Sequence, residues 1–165
     1  MKPSRVLAVI TAAVLSVTGC TSTETTPPGP QNCPVTHPGR SGPSEIPEES
    51  LFGWDRSYGD GRLAVGGLWP DGVIDAGPDF IEKDGAIRMK FGWWRGSPGA
   101  FEITGRRLDG SAPPLRADIP DGYGDTGFQA TGLYFPAEGC WEVTGRIGAT
   151  RLVFVTYVMK TRQPR

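Results

Sequence analysis

Three features of the sequence predict an all-β fold. The chain carries 24 Gly and 16 Pro in 165 residues. Beyond residue 20, only Ala149–Gln163 runs more than about ten residues without either, which excludes a helical bundle. Asp-Gly dipeptides stand at 60–61, 71–72, 84–85, 109–110 and 121–122, and such pairs supply the positive φ that tight turns need. The long gap after 84–85 holds Gly96-Ser97-Pro98-Gly99, another turn, so a turn falls about every twelve residues. Between turns, apolar and polar residues alternate with a period of two, the pattern of half-buried strands. Together these predict an immunoglobulin-like two-sheet β-sandwich of about seven or eight antiparallel strands, with a partly open β-barrel as the alternative.

The segments follow in order. Residues 1–19 read as a secretory signal, with Lys2 and Arg5 ahead of the apolar stretch Val6–Val17. That stretch is shorter than the roughly 20 residues a membrane-spanning helix needs. Residues 20–32 are rich in Ser, Thr and Pro without a large apolar side chain, and read as a flexible tether stiffened by Pro27, Pro28 and Pro30. A single domain is expected over residues 33–163. It opens on the Pro-rich entry segment Cys33–Pro47, with at most a helical turn at Pro47–Leu51. The 5 Trp, 4 Tyr and 7 Phe rule out a disordered chain despite the Gly and Pro content.

Strands are expected at Arg62–Trp69 and Gly72–Asp75, on either side of the second Asp-Gly turn. In Gly85–Phe91, Ile87, Met89 and Phe91 alternate with Arg88 and Lys90. Phe101 and Ile103 alternate with Glu102 and Thr104. Phe128–Phe135 is followed by the turn Pro136-Ala137-Glu138-Gly139 and by Cys140–Ile147, where Trp141, Val143 and Ile147 oppose Glu142, Thr144 and Arg146. Arg151–Met159 is apolar on both faces, as a central strand would be.

The leader ends in Val17-Thr18-Gly19-Cys20, which resembles the lipobox of bacterial lipoproteins. The resemblance implies that the Cys20 thiol receives a diacylglyceryl group, that cleavage precedes Cys20, and that the new N-terminus is acylated, with palmitate the expected kind of chain. Two or three acyl chains anchor stably where one is marginal. The expected location is therefore the extracytoplasmic face of the cell membrane, with the membrane itself a partner through the N-terminal lipid. The segment Phe135-Pro136-Ala137-Glu138-Gly139-Cys140-Trp141-Glu142-Val143-Thr144-Gly145 resembles a group of small bacterial secreted proteins and lipoproteins. Gly67-Leu68-Trp69-Pro70-Asp71-Gly72 and Met89-Lys90-Phe91-Gly92-Trp93-Trp94-Arg95-Gly96 are similar to the same group. This resemblance implies a shared fold and location and carries no active site.

With Cys20 lipidated, Cys33 and Cys140 remain as an even pair in an oxidising compartment and are expected to form a disulfide. Loss of Lys2 and Arg5 with the leader takes 17 basic residues to 15 against 18 acidic ones, a net charge of −3. No basic stripe remains, so nucleic acid is not an expected partner. Nucleophilic catalysis needs a base beside Ser or Cys, and the sole His, His37, lies in the Pro-rich entry segment. Most Asp residues sit in turns, where they have a conformational role, rather than as a carboxylate pair across a cleft. Asp55, Asp60, Asp121 and Asp125 are calcium-ligand candidates by spacing, but Asp55–Gly61 lacks the alternating EF-hand pattern. Two distant cysteines and one His give no zinc spacing. No catalysis, cofactor or metal is expected.

The aromatic residues are the remaining functional handle. Trp93 and Trp94 must point to opposite faces of a strand, so one can enter the core while the other stands outward beside Arg95. An exposed Trp next to Arg is the composition of a binding hot spot or a sugar platform; the competing expectation buries both indoles. Trp141 is expected in the core against the disulfide, and Tyr123 on a loop, either exposed or packed at a corner. The sequence thus points to a non-catalytic binding or accessory module at the cell envelope, with an envelope protein or a glycan as partner. Its alternative is a small-molecule or carbohydrate binder using Trp93, Trp94, Arg95 and Tyr123.

Overall fold

Period-two alternation dictates the long strands and Gly-rich turns end them. The computed structural model describes residues 30–39 and 54–161; the leader, Cys20, the tether through Gly29 and the predicted turn at Pro47–Leu51 lie outside the described residues. The strands are β1 (Tyr58–Gly59), β2 (Leu63–Gly66), β3 (Val73–Ala76), β4 (Ile87–Arg95), β5 (Phe101–Arg107), β6 (Arg116–Asp118), β7 (Gly127–Phe135), β8 (Gly139–Ile147) and β9 (Thr150–Lys160). Short 3-10 turns occur at Pro30–Asn32, Trp54–Arg56 and Pro78–Phe80. No helix among the described residues is long and apolar enough to cross a membrane.

The strands form two sheets, β1-β2-β4-β7-β6 (sheet one) and β3-β9-β8-β5 (sheet two). Setting β2 as strand A, β4-β7-β6 continue sheet one as B-E-D, and β9-β8-β5 give G-F-C in sheet two, the immunoglobulin arrangement. The fold is an open two-sheet sandwich, not a closed barrel.

Two expectations need correction. Among the described residues there are nine strands, and they are not all antiparallel: β3 runs parallel to β9, with Val73 opposite Tyr157 and Ala76 opposite Lys160. The chain leaves β2 in sheet one through Gly66-Gly67, crosses the sandwich and continues as an edge strand of sheet two. The Asp71-Gly72 turn is therefore a corner between sheets and not a hairpin. The second correction concerns turn chemistry. Gly72, Gly85 and Gly122 hold positive φ, whereas Gly61 and Gly110 do not. At 60–61 the turn is instead set by the Asp60 carboxylate, which accepts hydrogen bonds from the Arg62 and Leu63 backbone N–H groups.

The core lies between the sheets and centres on Trp93, Phe91, Phe135, Trp141 and Phe154, all almost fully buried. Trp93 of sheet one reaches across to sheet two, where Gly145 leaves room for it. A Cβ at 145 would lie 2.6 Å from the indole. The Trp93 Nε1–H donates to Thr131 Oγ1 at 3.1 Å, so the one polar group of the indole is satisfied inside the core.

A smaller cluster sits on the outer face of sheet two. Cys33 and Cys140 are joined in a disulfide across 5.5 Å between Cα atoms, packed with Tyr157 under Val35, Val73 and Leu108. The backbone of Thr36 bonds that of Val155, and the Thr36 hydroxyl accepts from the Val155 N–H, extending the grip along β9. Trp141 does not pack on the disulfide as expected. Neighbours on a strand face opposite ways, so Cys140 points outward to Cys33 while Trp141 points inward onto Phe135, with ring centres 5.7 Å apart.

Candidate functional site

The outer face of sheet one gathers the aromatic and charged residues that the core does not use. Along β4 the outward positions are Arg88, Lys90, Gly92 and Trp94, because Ile87, Met89, Phe91, Trp93 and Arg95 alternate inward. The register with β7 sets Trp94 opposite Phe128, Gly92 opposite Ala130, Lys90 opposite Gly132 and Arg88 opposite Tyr134. On the far side, β6 places Arg116 opposite Tyr134 and Asp118 opposite Gly132.

Trp94 is half-buried and stands beside Phe128, and Phe128 meets the Tyr123 ring edge-on with centres 6.0 Å apart. Tyr123 is 40% exposed. The structure thus brings Trp94 and Tyr123 onto one face through Phe128, a residue the sequence reading did not single out.

Trp93 is fully buried and belongs to the core, so it offers no binding surface. Arg95 also departs from the expectation. It does not stand outward beside Trp94 but follows the inward alternation of Trp93 and is only 6% exposed. Its Nη2 donates to the Gly124 carbonyl, while its buried Nε has no partner.

Gln129, buried two residues past Gly127, donates from Nε2 to the Pro120 carbonyl at 2.9 Å. The loop between β6 and β7 is therefore clamped at both ends by buried side chains, with Tyr123 displayed between the two clamps. Arg95 acts as a positioning residue for this loop and not as a ligand contact.

Charge on this face is partly compensated. Arg88 lies 3.7 Å from Glu82, and Arg116 lies 3.9 Å from Asp84 while its guanidinium covers the Tyr134 ring at 4.2 Å. Phe80, 49% exposed, borders Arg88 and Lys90.

Another concavity lies on the outer face of sheet two, with a volume of about 630 Å³. Its polar groups largely satisfy one another. Arg106 donates to both Glu142 carboxylate oxygens, Arg146 to the Gly148 carbonyl, and Arg151 to the Thr144 hydroxyl. It holds no aromatic side chain, and it reads as the wet face of an antiparallel sheet.

The remaining sequence candidates fall outside both faces. Arg62 donates two hydrogen bonds to Asp60 and holds its carboxyl below the usual carboxylate range, with backbone N–H groups of 62 and 63 adding to the effect. That carboxylate is committed to its own turn. Among the described residues no three His, Cys, Asp or Glu side chains come together. His37 is exposed, with its Nδ1 3.4 Å from the Pro70 carbonyl oxygen.

No protein-family model matches the chain, and no curated protein gives a significant match to it.

Proposed function

We propose that this chain is a lipid-anchored, extracytoplasmic binding module, without catalytic activity of its own, that holds an envelope partner on the outer face of sheet one. The observation that carries the reading is the clamped Tyr123 loop. Burying a guanidinium with an unpartnered Nε is costly, and here it serves to hold the loop that displays one exposed aromatic ring. Rigid aromatic anchors framed by cations are what binding hot spots use.

Anchorage is supported by Val17-Thr18-Gly19-Cys20 and by the buried Cys33–Cys140 disulfide, which suits an oxidising compartment. The geometry suits display as well. Cys33 is fixed to the start of β8, at the end of the sandwich where β7 finishes. Tyr123 packs on Phe128, toward the opposite end of β7, a strand of nine residues or about 30 Å. A tether rising from Cys20 to Cys33 would leave the Tyr123 end facing away from the lipid.

Cys20→Ala tests the anchor. The variant is expected to leave the membrane fraction for the medium or the soluble extract, and retention in the membrane would overturn the assignment.

A further inference from the structure

Three residues on the outer face of sheet one stand in a single row across three strands: Lys90 on β4, Gly132 on β7 and Asp118 on β6. The central residue has no side chain, so the row is a notch with an ammonium on one wall and a carboxylate on the other. A Cβ built at 132 would meet the Tyr134 ring at 3.5 Å and the Asp118 Cβ at 3.6 Å, which shows how closely the notch is framed. Tyr123 closes the side nearest the clamped loop, and the hollow holds about 260 Å³. Among the described residues, neither Lys90 nor Asp118 has an oppositely charged group within 4.0 Å.

We propose that this notch seats a single neutral pyranose unit of a glycan, with the C–H face of the sugar against Tyr123. The inference deepens the binding-module reading of the same face and rests on it. Size argues for one ring, because the hollow falls below the roughly 300–1,000 Å³ of pockets that enclose drug-sized ligands.

Charge argues for neutrality. Arg88 also lines the hollow but is paired with Glu82 at 3.7 Å. Beyond that pair, a net anion would meet Asp118 and a net cation would meet Lys90, whereas hydroxyl groups donate to the carboxylate and accept from the ammonium. Tyr123 supplies the flat, amphipathic surface, held in place by Arg95 and Gln129 without any need to order on binding.

The test is calorimetric titration of the purified full-length chain in detergent with cellohexaose and chitohexaose, two neutral pyranose oligomers. Wild type is expected to bind at least one of them saturably. Gly132→Val fills the notch with a good strand former on a strand, so it should weaken binding about tenfold or more while leaving the melting temperature unchanged. Asp118→Asn and Tyr123→Ala should each weaken binding, and Arg151→Ala on the opposite sheet should not.

Absence of binding by wild type to both probes at millimolar concentration overturns the proposal, as does binding that survives Gly132→Val. A chain that crosslinks an envelope protein through position 123 yet ignores both glycans would remove the sugar subsite and leave the binding-module reading standing. Failure of both measurements would remove both.

Discussion

Replacing Arg95 with Met separates the stability of the sandwich from the display of its loop. Methionine fills the space of the aliphatic stem and keeps the site apolar. The change removes the bond from Nη2 to the Gly124 carbonyl, and hydrogen bonds to charged groups contribute about 1.5–3 kcal/mol. It also removes a buried Nε that has no partner, a desolvation cost of about 1–3 kcal/mol. The two terms nearly cancel, so global stability should change by no more than about 1 kcal/mol, or a few degrees in melting temperature.

Locally they do not cancel. The loop loses its clamp at Gly124 and keeps only the Gln129 bond at Pro120. Amide exchange across 121–126 should accelerate about ten- to a hundredfold, the factor that 1.5–3 kcal/mol implies, while exchange in β4 and β7 stays slow. Hydrogen exchange read by mass spectrometry, beside a thermal melt, measures both quantities on one sample. A large fall in melting temperature with loop exchange unchanged would show that Arg95 supports the core and does not position the loop.

Two further substitutions and one reduction test the packing. Gly145→Ala places a methyl 2.6 Å from a Trp93 ring that is also wedged against Phe101 and Phe154 and hydrogen-bonded at Nε1, so it should destabilise by about 2 kcal/mol in urea unfolding. Gly132→Ala, whose Cβ finds only ordinary contacts, should stay within about 0.5 kcal/mol; equal effects at the two positions would contradict the assignment of faces. The Cys33→Ser, Cys140→Ser double variant opens a link between residues 107 apart, and the chain-entropy relation puts its cost at about 4–5 kcal/mol. An unchanged urea midpoint on reduction would show that Val35 and Thr36 hold the entry segment without the bridge.

The strands were legible because their side chains alternate, as Ile87, Met89 and Phe91 do against Arg88 and Lys90. The central placement of Arg151–Met159 was legible because β9 is flanked by β3 and β8 and is apolar on both faces. The disulfide followed from cysteine parity. Short strands were not legible: Tyr58–Gly59 and Arg116–Asp118 have too few residues to show a period. Nor was the parallel edge at β3, since local sequence does not say which sheet a strand joins after a corner.

At the candidate site the sequence pointed to Trp94 and Tyr123. It left open which of Trp93 and Trp94 faces the core, and it misplaced Arg95, since alternation puts 93 and 95 on one face and 94 on the other. The row Lys90–Gly132–Asp118 is a product of register between segments far apart in the chain, and no local pattern announces it.

Photo-crosslinking in intact cells, with the reactive side chain placed at Tyr123 or at Thr104 on the other sheet, tests the central claim most directly. The account predicts a discrete adduct at 123 that fades with Arg95→Met, and none at 104. Adducts of equal yield at both positions, or at 104 alone, would contradict it.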